Sequence, residues 1–278
     1  MAKIFVTGSS GFIGTQLIKK LKNFEVITDS INSKKIDLKK MDELIQIESS
    51  DIVIHLAAKT QKGRSWNEYF DNNVIGTQNI LEYCIQKKVK KIIFLSSYVY
   101  GNPKYLPIDE NHPISPHNDY TKSKFIAEQL CKKYAKEFNL NVVILRPFNI
   151  FGETLDEGFL ISNLINSLNN NKIVTITNEF SKRDFLFIQD LIDLILKIIE
   201  YDFKFEIFNV GSGKSYSFKQ IVEKIEKISN KKLKLEFKYD EENCIKDIIA
   251  DISKVSDKIG WKPNISFDDG IQRCYNGK

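Results

Sequence analysis

The amino-acid sequence predicts an α/β protein built on a doubly wound parallel sheet. Short runs rich in Val, Ile and Phe alternate with longer amphipathic segments through the first 150 residues. Two of these runs, DIVIHLAA and VKKIIFLSS, contain few polar residues, which is typical of strands buried on both faces. The amphipathic segments are long enough to carry the chain back across the sheet, so successive strands should run parallel.

The elements follow in a regular order in this first part. The strand KIFVTG leads into the helix FIGTQLIKKLKN, in which Ile13, Leu17 and Leu21 share one face. The strand EVITD, the short helix MDELIQIE and the strand DIVIHLAA come next. The long helix YFDNNVIGTQNILEYCIQKK, the strand VKKIIFLSS, the helix YTKSKFIAEQLCKKYAKEF and the strand LNVVILRP complete the pattern. Residues 1–150 are therefore predicted to form one domain.

The pattern changes after FNIFG. The segments FLISNLINSLNN, RDFLFIQDLIDLILKIIE and SFKQIVEKIEKI are predicted helices between short strands. We expect residues 151–278 to form mainly a smaller, mixed α/β substrate-binding part, with residues 183–205 packed on the first domain.

Composition and charge exclude several classes of protein. The net charge of +5 comes from lysines scattered among acidic residues, without the basic block of a nucleic-acid-binding protein. No apolar run approaches the roughly 20 residues that a membrane span needs. The four cysteines lie far apart, and no cluster has metal-ligand spacing. Because the chain begins Met-Ala-Lys and enters a strand at once, we expect a cytoplasmic protein with free thiols and no metal.

Three glycines follow the first strand at intervals of three residues, in TGSSGFIG. Gly8 would permit a tight turn, Gly11 would let a pyrophosphate approach the backbone, and Gly14 would let the helix lie close to the sheet. The phosphates would then meet the free N–H groups at the helix N-terminus. The string therefore predicts a dinucleotide-binding loop.

The residue that ends the second strand bears on the choice of dinucleotide. Asp29 lies 21 residues after Gly8. Its carboxylate could accept both hydroxyls of an adenosine ribose and would repel a 2′-phosphate, which favours NAD. Lys34 and Lys35 follow closely and leave NADP open as the alternative.

Tyr120 and Lys124, in YTKSK, lie four residues apart on a predicted helix and project from one face. A tyrosine has an ordinary pKa of about 10 and is a poor base at neutral pH. A neighbouring ammonium and an oxidised nicotinamide would both favour the phenolate. Tyr120 would then remove the proton from a substrate hydroxyl as hydride leaves the same carbon, while Lys124 would hold the nicotinamide ribose.

A third polar group is expected where FLSSYVYG leaves its buried strand. Ser96 and Ser97 stand at the carboxyl end of that strand, which is the edge at which such sheets bind ligands. A hydroxyl there could orient the carbonyl or alcohol of a substrate.

Taken together, these motifs resemble the extended short-chain dehydrogenase/reductase family, and within it the NAD-dependent epimerase/dehydratase group that acts on nucleotide sugars. TGSSGFIG is similar to the phosphate loop of that group, HLAA to the segment beside the cofactor, and DNNVIGT to the central helix. YTKSK carries its Tyr and Lys, and LRPFNIFG and RDFLFIQDL are similar to its substrate-binding segments. FNVGSGKSYSF and ADISKVSDKIGWKP match its closing signatures, so the resemblance covers nearly the whole chain.

The resemblance implies a Rossmann-type fold and a catalytic set of Ser96, Tyr120 and Lys124. Ser96 and Tyr120 would also contact substrate, and Asn149 and Arg183 would bind its diphosphate. A homodimer is implied, formed through the helices that begin near Asn73 and Tyr120, as is a role in polysaccharide biosynthesis. The implied cofactor-binding residues, in addition to Tyr120 and Lys124, are Gly8, Gly11, Phe12, Ile13, Gly14, Asp29, Asp37, Leu38, Leu56, Ala57 and Ala58.

Two reactions fit this catalytic set. In a nucleotide-sugar 4-epimerase of the UDP-glucose or UDP-N-acetylglucosamine type, bound NAD takes hydride from C4 and returns it to the other face. In a 4-ketoreductase, a keto sugar made by another enzyme is reduced once by NAD(P)H. Asp29, DNNVIGT and RDF favour the epimerase, whereas the short chain and the short stretch between Asp29 and Asp37 favour the reductase.

Other functions are less well matched. A 4,6-dehydratase usually has an Asp-Glu pair where this chain has Ser97 and Tyr98, so elimination would lack its acid and base. Relatives often carry a second diphosphate-binding arginine before ADISK, and here only Lys238 or Lys246 could substitute for it. A dinucleotide-binding scaffold without turnover is a further alternative, because the same fold serves both roles.

Overall fold

A computed structural model describes residues 1–31, 34–61, 63–153, 159–176, 181–238 and 247–277. Lys246 and Cys244 lie outside the described residues, as does the side chain of Lys34. The chain forms two compact units. The first comprises residues 1–101, 114–147 and 192–208, and the second comprises residues 102–113, 148–191 and 209–278.

The strands are β1 (Lys3–Thr7), β2 (Glu25–Thr28), β3 (Ser30–Ile31), β4 (Lys34–Lys35), β5 (Ile52–His55), β6 (Lys91–Leu95), β7 (Asn141–Pro147), β8 (Asn149–Phe151), β9 (Ile173–Ile176), β10 (Lys182–Phe187), β11 (Phe205–Val210), β12 (Ser215–Ser217) and β13 (Lys234–Phe237). The helices are α1 (Phe12–Lys20), α2 (Met41–Leu44), α3 (Trp66–Tyr69), α4 (Gly76–Gln86), α5 (Asp119–Phe138), α6 (Leu160–Asn169), α7 (Ile188–Glu200), α8 (Phe218–Ser229), α9 (Ser253–Ile259) and α10 (Phe267–Asn276). A π-helical segment, Phe70–Ile75, joins α3 to α4.

The first unit contains a six-stranded sheet in the order β11-β7-β6-β5-β1-β2. Strand β1 pairs in parallel with both β2 and β5, which lie on opposite sides of it and are consecutive strands of this sheet along the chain. Strands β5, β6 and β7 continue in parallel. The order of the strands therefore reverses between β1 and β5, and the carboxyl ends of these two strands form the crevice where such sheets bind ligands. The predicted doubly wound fold is confirmed.

The apolar runs that predicted this sheet lie in its interior. Every residue of β5 and β6 is buried, including Lys91 at the start of β6. One face packs against residues of α4 and α5 in a single core that includes Phe5, Tyr83 and Phe94. Burial on both faces explains why these strands show a continuous apolar run rather than an alternating pattern.

The second unit contains a three-stranded sheet in the order β12-β10-β8. An aromatic cluster fills its interior, with the Phe151 ring 5.4 Å from that of Phe187 and 5.3 Å from that of Phe267. A Cβ on Gly270 would lie 2.6 Å from the Phe151 ring, so α10 approaches this cluster as closely as a helix backbone can.

The segment RDFLFIQDLIDLILKIIE was predicted as one helix, and its first part is instead strand β10. This prediction was wrong because the neighbouring strands decide the conformation. Asp184 pairs with Ser215 of β12, and Phe185 pairs with Asn149 of β8. The ladder hydrogen bonds on both sides override the helical spacing of the apolar residues.

The two units also differ in extent from the predicted domains. Residues 102–113 belong to the second unit because the backbone of Ile108 forms hydrogen bonds with other residues of that unit. The Ile108 N–H donates to the Ile249 carbonyl (2.9 Å), and the Ile108 carbonyl accepts the amide of Asp251 (2.8 Å). Of the stretch 183–205, residues 183–191 belong to the second unit and residues 192–205 to the first.

The described residues include neither a membrane-spanning helix nor a cluster of metal ligands. No helix among them combines the length and the apolar character that a bilayer crossing requires. Within the same ranges, no group of three or more His, Cys, Asp or Glu side chains is placed to hold a metal ion.

Candidate active site

The loop between β1 and α1 is shaped by two glycines that leave no room for a side chain. Gly8 has a φ of 69°, and a Cβ there would lie 2.7 Å from the Ala57 nitrogen. A Cβ on Gly14 would lie 2.2 Å from the Gly8 carbonyl oxygen. Gly14 therefore lets the first turn of the helix lie against the loop itself, whereas the spacing alone had predicted an approach to the sheet.

The N-terminus of α1 is open to an anion. The first N–H groups of an α-helix have no partner within the helix. Gly11 precedes α1 and offers no side-chain acceptor, and the first turn contains no acidic residue. The N–H groups of Phe12, Ile13 and Gly14 and the dipole of α1 therefore fit a pyrophosphate.

Asp29 is almost completely buried, and its carboxylate holds this loop. One oxygen accepts the N–H of Gly8 (2.9 Å), and the other accepts both the N–H of Ser9 (3.2 Å) and the Ser9 hydroxyl. Its contact with a ribose stays a prediction, and shaping the loop is a role that the sequence did not indicate. The exposed ammonium of Lys35 lies 3.5 Å from the Ser10 hydroxyl.

Asp37 and Leu38, predicted to border the adenine, precede α2. One Asp37 carboxylate oxygen accepts the Lys39 N–H (3.1 Å). Leu38 packs against the core of the first unit, and its carbonyl accepts the Asn79 side-chain amide (2.9 Å). The segment is thus anchored to α4, and the adenine contact stays a prediction.

The residues after β5 lie directly beside the glycine loop. Leu56, Ala57 and Ala58 are half-buried. The Leu56 N–H donates to the Thr7 carbonyl (3.2 Å), and the Ala57 N–H donates to the Thr7 hydroxyl (3.3 Å). Because Thr7 immediately precedes Gly8, these bonds fix the two predicted cofactor loops to each other.

His55 occupies a fixed place in a chain of buried hydroxyls. Its Nε2 lies 3.0 Å from the Thr77 hydroxyl, which donates its own proton to the Asn73 carbonyl. Thr77 must therefore accept the Nε2–H, and Nδ1 accepts the Thr7 hydroxyl (2.6 Å). Burial, together with the charge of Lys124, lowers the pKa of His55 to about 3. His55 is therefore a neutral structural residue.

This neutral histidine should make stability depend on pH. The unfolded chain takes up a proton at His55 as pH falls through about 6.5, whereas the folded chain does not until about 3. The unfolding free energy of the wild type should therefore fall about 1.4 kcal/mol per pH unit more steeply than that of His55→Gln between pH 6 and pH 4. Urea unfolding at each pH measures this slope.

Parallel curves for the wild type and His55→Gln would contradict the assignment of a neutral, buried His55.

Asn73 lies in the π-helical segment and joins it to two other parts of the first unit. Its side-chain oxygen accepts the Lys59 N–H (2.7 Å), and its amide donates to the Lys59 carbonyl (3.1 Å) and to the Ser123 hydroxyl (2.9 Å). Ser123 in turn donates to the Tyr120 carbonyl (2.7 Å). Asn73 therefore ties the loop after β5 to the first turn of α5.

Tyr120 is half-buried in the first turn of α5. A capping box formed by Asn118 starts this helix. Removal of water raises the pKa of its hydroxyl, and a hydrogen bond with the Ser97 side chain opposes that rise. The sequence had predicted a lower pKa through the charge of Lys124. Burial is the largest effect, and Ser97 rather than Lys124 provides the opposing contribution.

Lys124 is buried one turn further along α5. Burial lowers the pKa of its ammonium to about 8, while Cys131 and Glu128 act to raise it. The Nζ atom lies 4.2 Å from the centre of the Phe94 ring. The ammonium is therefore held on the strand side of α5.

Ser96, which the resemblance placed in the catalytic set, bonds to a buried ion pair. Its hydroxyl donates to Glu128 (2.5 Å). The Arg146 guanidinium donates to both Glu128 oxygens (2.7 and 3.0 Å) and to the Tyr100 hydroxyl (2.9 Å). Burial acts to lower the pKa of Arg146, but Glu128 outweighs it and raises the value. The Ser96 hydroxyl is thus engaged with Glu128, whereas the Ser97 side chain acts on the pKa of Tyr120.

The second unit contains the predicted diphosphate-binding residues on adjacent strands. Asn149 pairs in register with Phe185, two residues beyond Arg183, so Asn149 and Arg183 lie on one face of the sheet. The Asn149 amide donates to the Asp184 carbonyl (2.9 Å). The buried Asp184 carboxylate accepts the N–H groups of Ser212 (2.7 Å), Gly213 (3.0 Å) and Ala250 (3.1 Å).

Several residues of this arrangement were not found by sequence reasoning. Glu128 lies eight residues after Tyr120, on the buried face of α5, and a lone Glu in an amphipathic helix gave no signal that it was paired. The roles of Ser9, Phe94 and Asp184 likewise depend on neighbours from distant parts of the chain. Ser97 did carry a signal, since it was one of two serines at the carboxyl end of the strand.

Comparisons with known proteins agree with this geometry. The chain matches the model of the NAD dependent epimerase/dehydratase family over residues 4–211. It is 34% identical to a Methanocaldococcus jannaschii protein that carries a provisional assignment as a UDP-glucose 4-epimerase, over 98% of this chain and 97% of that protein. It is 28% identical to the dTDP-4-dehydro-6-deoxyglucose reductase of Escherichia coli, over 97% of this chain and 95% of that protein. A solved structure of Bacillus cereus UDP-glucuronic acid 4-epimerase, with UDP-glucuronic acid and NAD, superposes with a TM-score of 0.89, at 28% identity over 99% of this chain and 98% of that one.

Proposed function

Since the chain belongs to the NAD dependent epimerase/dehydratase family, we propose that it is an NAD-dependent nucleotide-sugar 4-epimerase. Because the chain belongs to this family, it is an NAD(P)-dependent sugar-nucleotide epimerase or reductase. The observation that carries the proposal is the placement of Tyr120 on α5 one turn before the buried Lys124, in a turn that Ser123 ties to Asn73. The 34% identical relative favours epimerisation over reduction.

The residues of the first unit perform the proton chemistry. Ser97 donates to the oxygen on the reacting carbon and orients it, and Tyr120 removes the proton from the C4 hydroxyl and later returns it. Bound NAD supplies the hydride acceptor that makes oxidation at C4 possible. Lys124 would hold the nicotinamide ribose, and its positive charge would favour the phenolate form of Tyr120 against the effect of burial.

The glycine loop fits the cofactor. Gly8 and Gly14 leave a cradle without side chains, and the open N-terminus of α1 supplies N–H groups for the pyrophosphate. Each Asp29 oxygen can accept more than one hydrogen bond, so its carboxylate can bind a ribose hydroxyl while it holds the loop. This argument favours NAD.

The second unit supplies the residues proposed for the nucleotide diphosphate. The Arg183 guanidinium can bind phosphate oxygens with two parallel N–H groups, and the Asn149 amide can donate to the same group. The Asp184 network fixes the strand that carries Arg183. Lys238 is exposed and offers a point charge without the bidentate geometry of a second arginine.

The runner-up is a 4-ketoreductase that uses NADH or NADPH. Two observations favour it: the identity with the Escherichia coli reductase, and the short connection from Asp29 to Asp37. The Lys35 ammonium beside Ser10 would also tolerate a 2′-phosphate. The homodimer, the cytoplasmic location, the role in polysaccharide biosynthesis and the scaffold alternative stay untested predictions.

The cofactor that is retained on purification distinguishes these reactions. The purified protein would be denatured and the released dinucleotide identified, and the intact protein would be incubated with UDP-glucose and with UDP-N-acetylglucosamine. An epimerase should release NAD and convert one of these sugars to its 4-epimer without added cofactor. A protein without bound dinucleotide that oxidises NADPH only with a 4-keto sugar would establish the reductase instead.

A further inference from the structure

We propose that Phe94 is a positioning residue for Lys124, and that its aromatic ring holds the buried ammonium in its charged form and in place. The two side chains come from different elements of the first unit, the end of β6 and the first turns of α5. Both are buried, and the distance from Nζ to the ring centre is 4.2 Å. At this distance the negative face of an aromatic ring attracts a cation, and the attraction is stronger where water is excluded.

The Phe94 ring matters because burial disfavours the charged form of Lys124, and the other groups around it offset this effect only in part. On α5, Cys131 and Glu128 act to raise the Lys124 pKa, but they do not offset its burial. The Glu128 charge is shared with Arg146 and Ser96. Tyr120 adds no negative charge, because burial raises its own pKa. On β5, His55 is neutral and its ring lies 5.6 Å from that of Phe94. On β6, the residue that faces the ammonium is Phe94.

Loss of the ring should therefore shift the titration of Lys124. Its pKa of about 8 keeps the ammonium mostly charged at neutral pH. In Phe94→Leu, which keeps an apolar side chain but removes the π-system, we expect the pKa to fall by about one unit. Lys124 would then be about half neutral at pH 7. The consequence for catalysis rests on the proposed function, but the shift itself does not.

The direct test is NMR on protein labelled with ¹³C and ¹⁵N in lysine, with the Lys124 signal assigned by its absence in Lys124→Met. The ring current of Phe94 should move the Lys124 ε-protons upfield in the wild type, and this displacement should vanish in Phe94→Leu. The midpoint of the Lys124 titration should fall by about one unit in that variant. Phe94→Tyr, which keeps the ring, should restore both signals.

The matched control is Phe5→Leu. Phe5 is equally buried in the same sheet and core, but its ring contacts Tyr83 at 5.3 Å rather than a cation. This variant should keep the Lys124 signal and its midpoint. An unshifted wild-type signal, or an equal fall in both leucine variants, would overturn the proposal.

Kinetics provide the second arm of the test. Because activity requires the charged ammonium, the alkaline limb of the kcat/KM profile should move about one pH unit lower in Phe94→Leu and stay unchanged in Phe5→Leu. A wild-type protein with the expected NMR signals but no turnover on any nucleotide sugar would contradict the proposed function and leave the role of Phe94 supported.

Discussion

Tyr120→Phe should lose about 10²- to 10⁴-fold in turnover while it keeps its fold and its bound dinucleotide. The substitution removes one oxygen atom, and with it the group that takes the proton from the sugar C4 hydroxyl. Without that base, an alkoxide would have to form before hydride departs, at a carbon whose hydroxyl is not acidic at neutral pH. The measurement is interconversion of UDP-glucose and its 4-epimer, or of whichever sugar the wild type accepts.

The matched control for this prediction is Tyr134→Phe. Tyr134 lies on the same helix, and its hydroxyl donates to the Glu82 carboxylate away from the catalytic residues. Its loss should leave turnover within about twofold and cost no more than about 1 kcal/mol of unfolding free energy. Full turnover in Tyr120→Phe would remove the basis of the proposed mechanism, since no other described residue has been assigned the proton transfer.

The same assay distinguishes the roles of Ser96 and Ser97. The Ser97 side chain acts on the pKa of Tyr120, whereas Ser96 donates to Glu128. If Ser97 orients the substrate, Ser97→Ala should reduce kcat, while Ser96→Ala should mainly reduce stability. The resemblance placed the catalytic hydroxyl at Ser96, and the reverse result would support that assignment.

Those parts of the fold that depend on local pattern could be predicted from the sequence. Strands β5 and β6 are buried on both faces, and their continuous apolar runs indicated this directly. The glycine loop was also predictable, because the tight turn at Gly8 and the close approach at Gly14 each require the absence of a side chain. Both features follow from steric rules that act within a few residues.

The features that sequence reasoning missed all depend on partners distant in the chain. Strand β10 carries helix-like spacing, but its pairing with β8 and β12 makes it extended. Residues 102–113 join the second unit because Ile108 bonds to residues near 250. Likewise, the Ser96 hydroxyl donates to Glu128, and the position of that carboxylate depends on Arg146 from another strand.

The buried pair of Glu128 and Arg146 should be the electrostatic contact on which stability depends most. Both side chains are almost fully excluded from water, and the guanidinium reaches the carboxylate at 2.7 Å. Removal of one partner leaves the other charge buried without compensation, which typically costs about 3–5 kcal/mol. Glu128→Gln keeps the shape of the side chain and should lower the unfolding free energy by about this amount, as measured by urea unfolding at pH 7.

The same helix offers a matched control in Lys133 and Glu137. That pair is spaced four residues apart, at 3.9 Å and more than half exposed on both sides. An exposed pair of this kind contributes about 0.5 kcal/mol or less, so Glu137→Gln should be nearly neutral. The double variant Glu128→Met with Arg146→Met should recover part of the loss, because it removes both buried charges together. Equal effects of Glu128→Gln and Glu137→Gln would show that the buried pair contributes no more to stability than the exposed pair does, and would contradict this prediction.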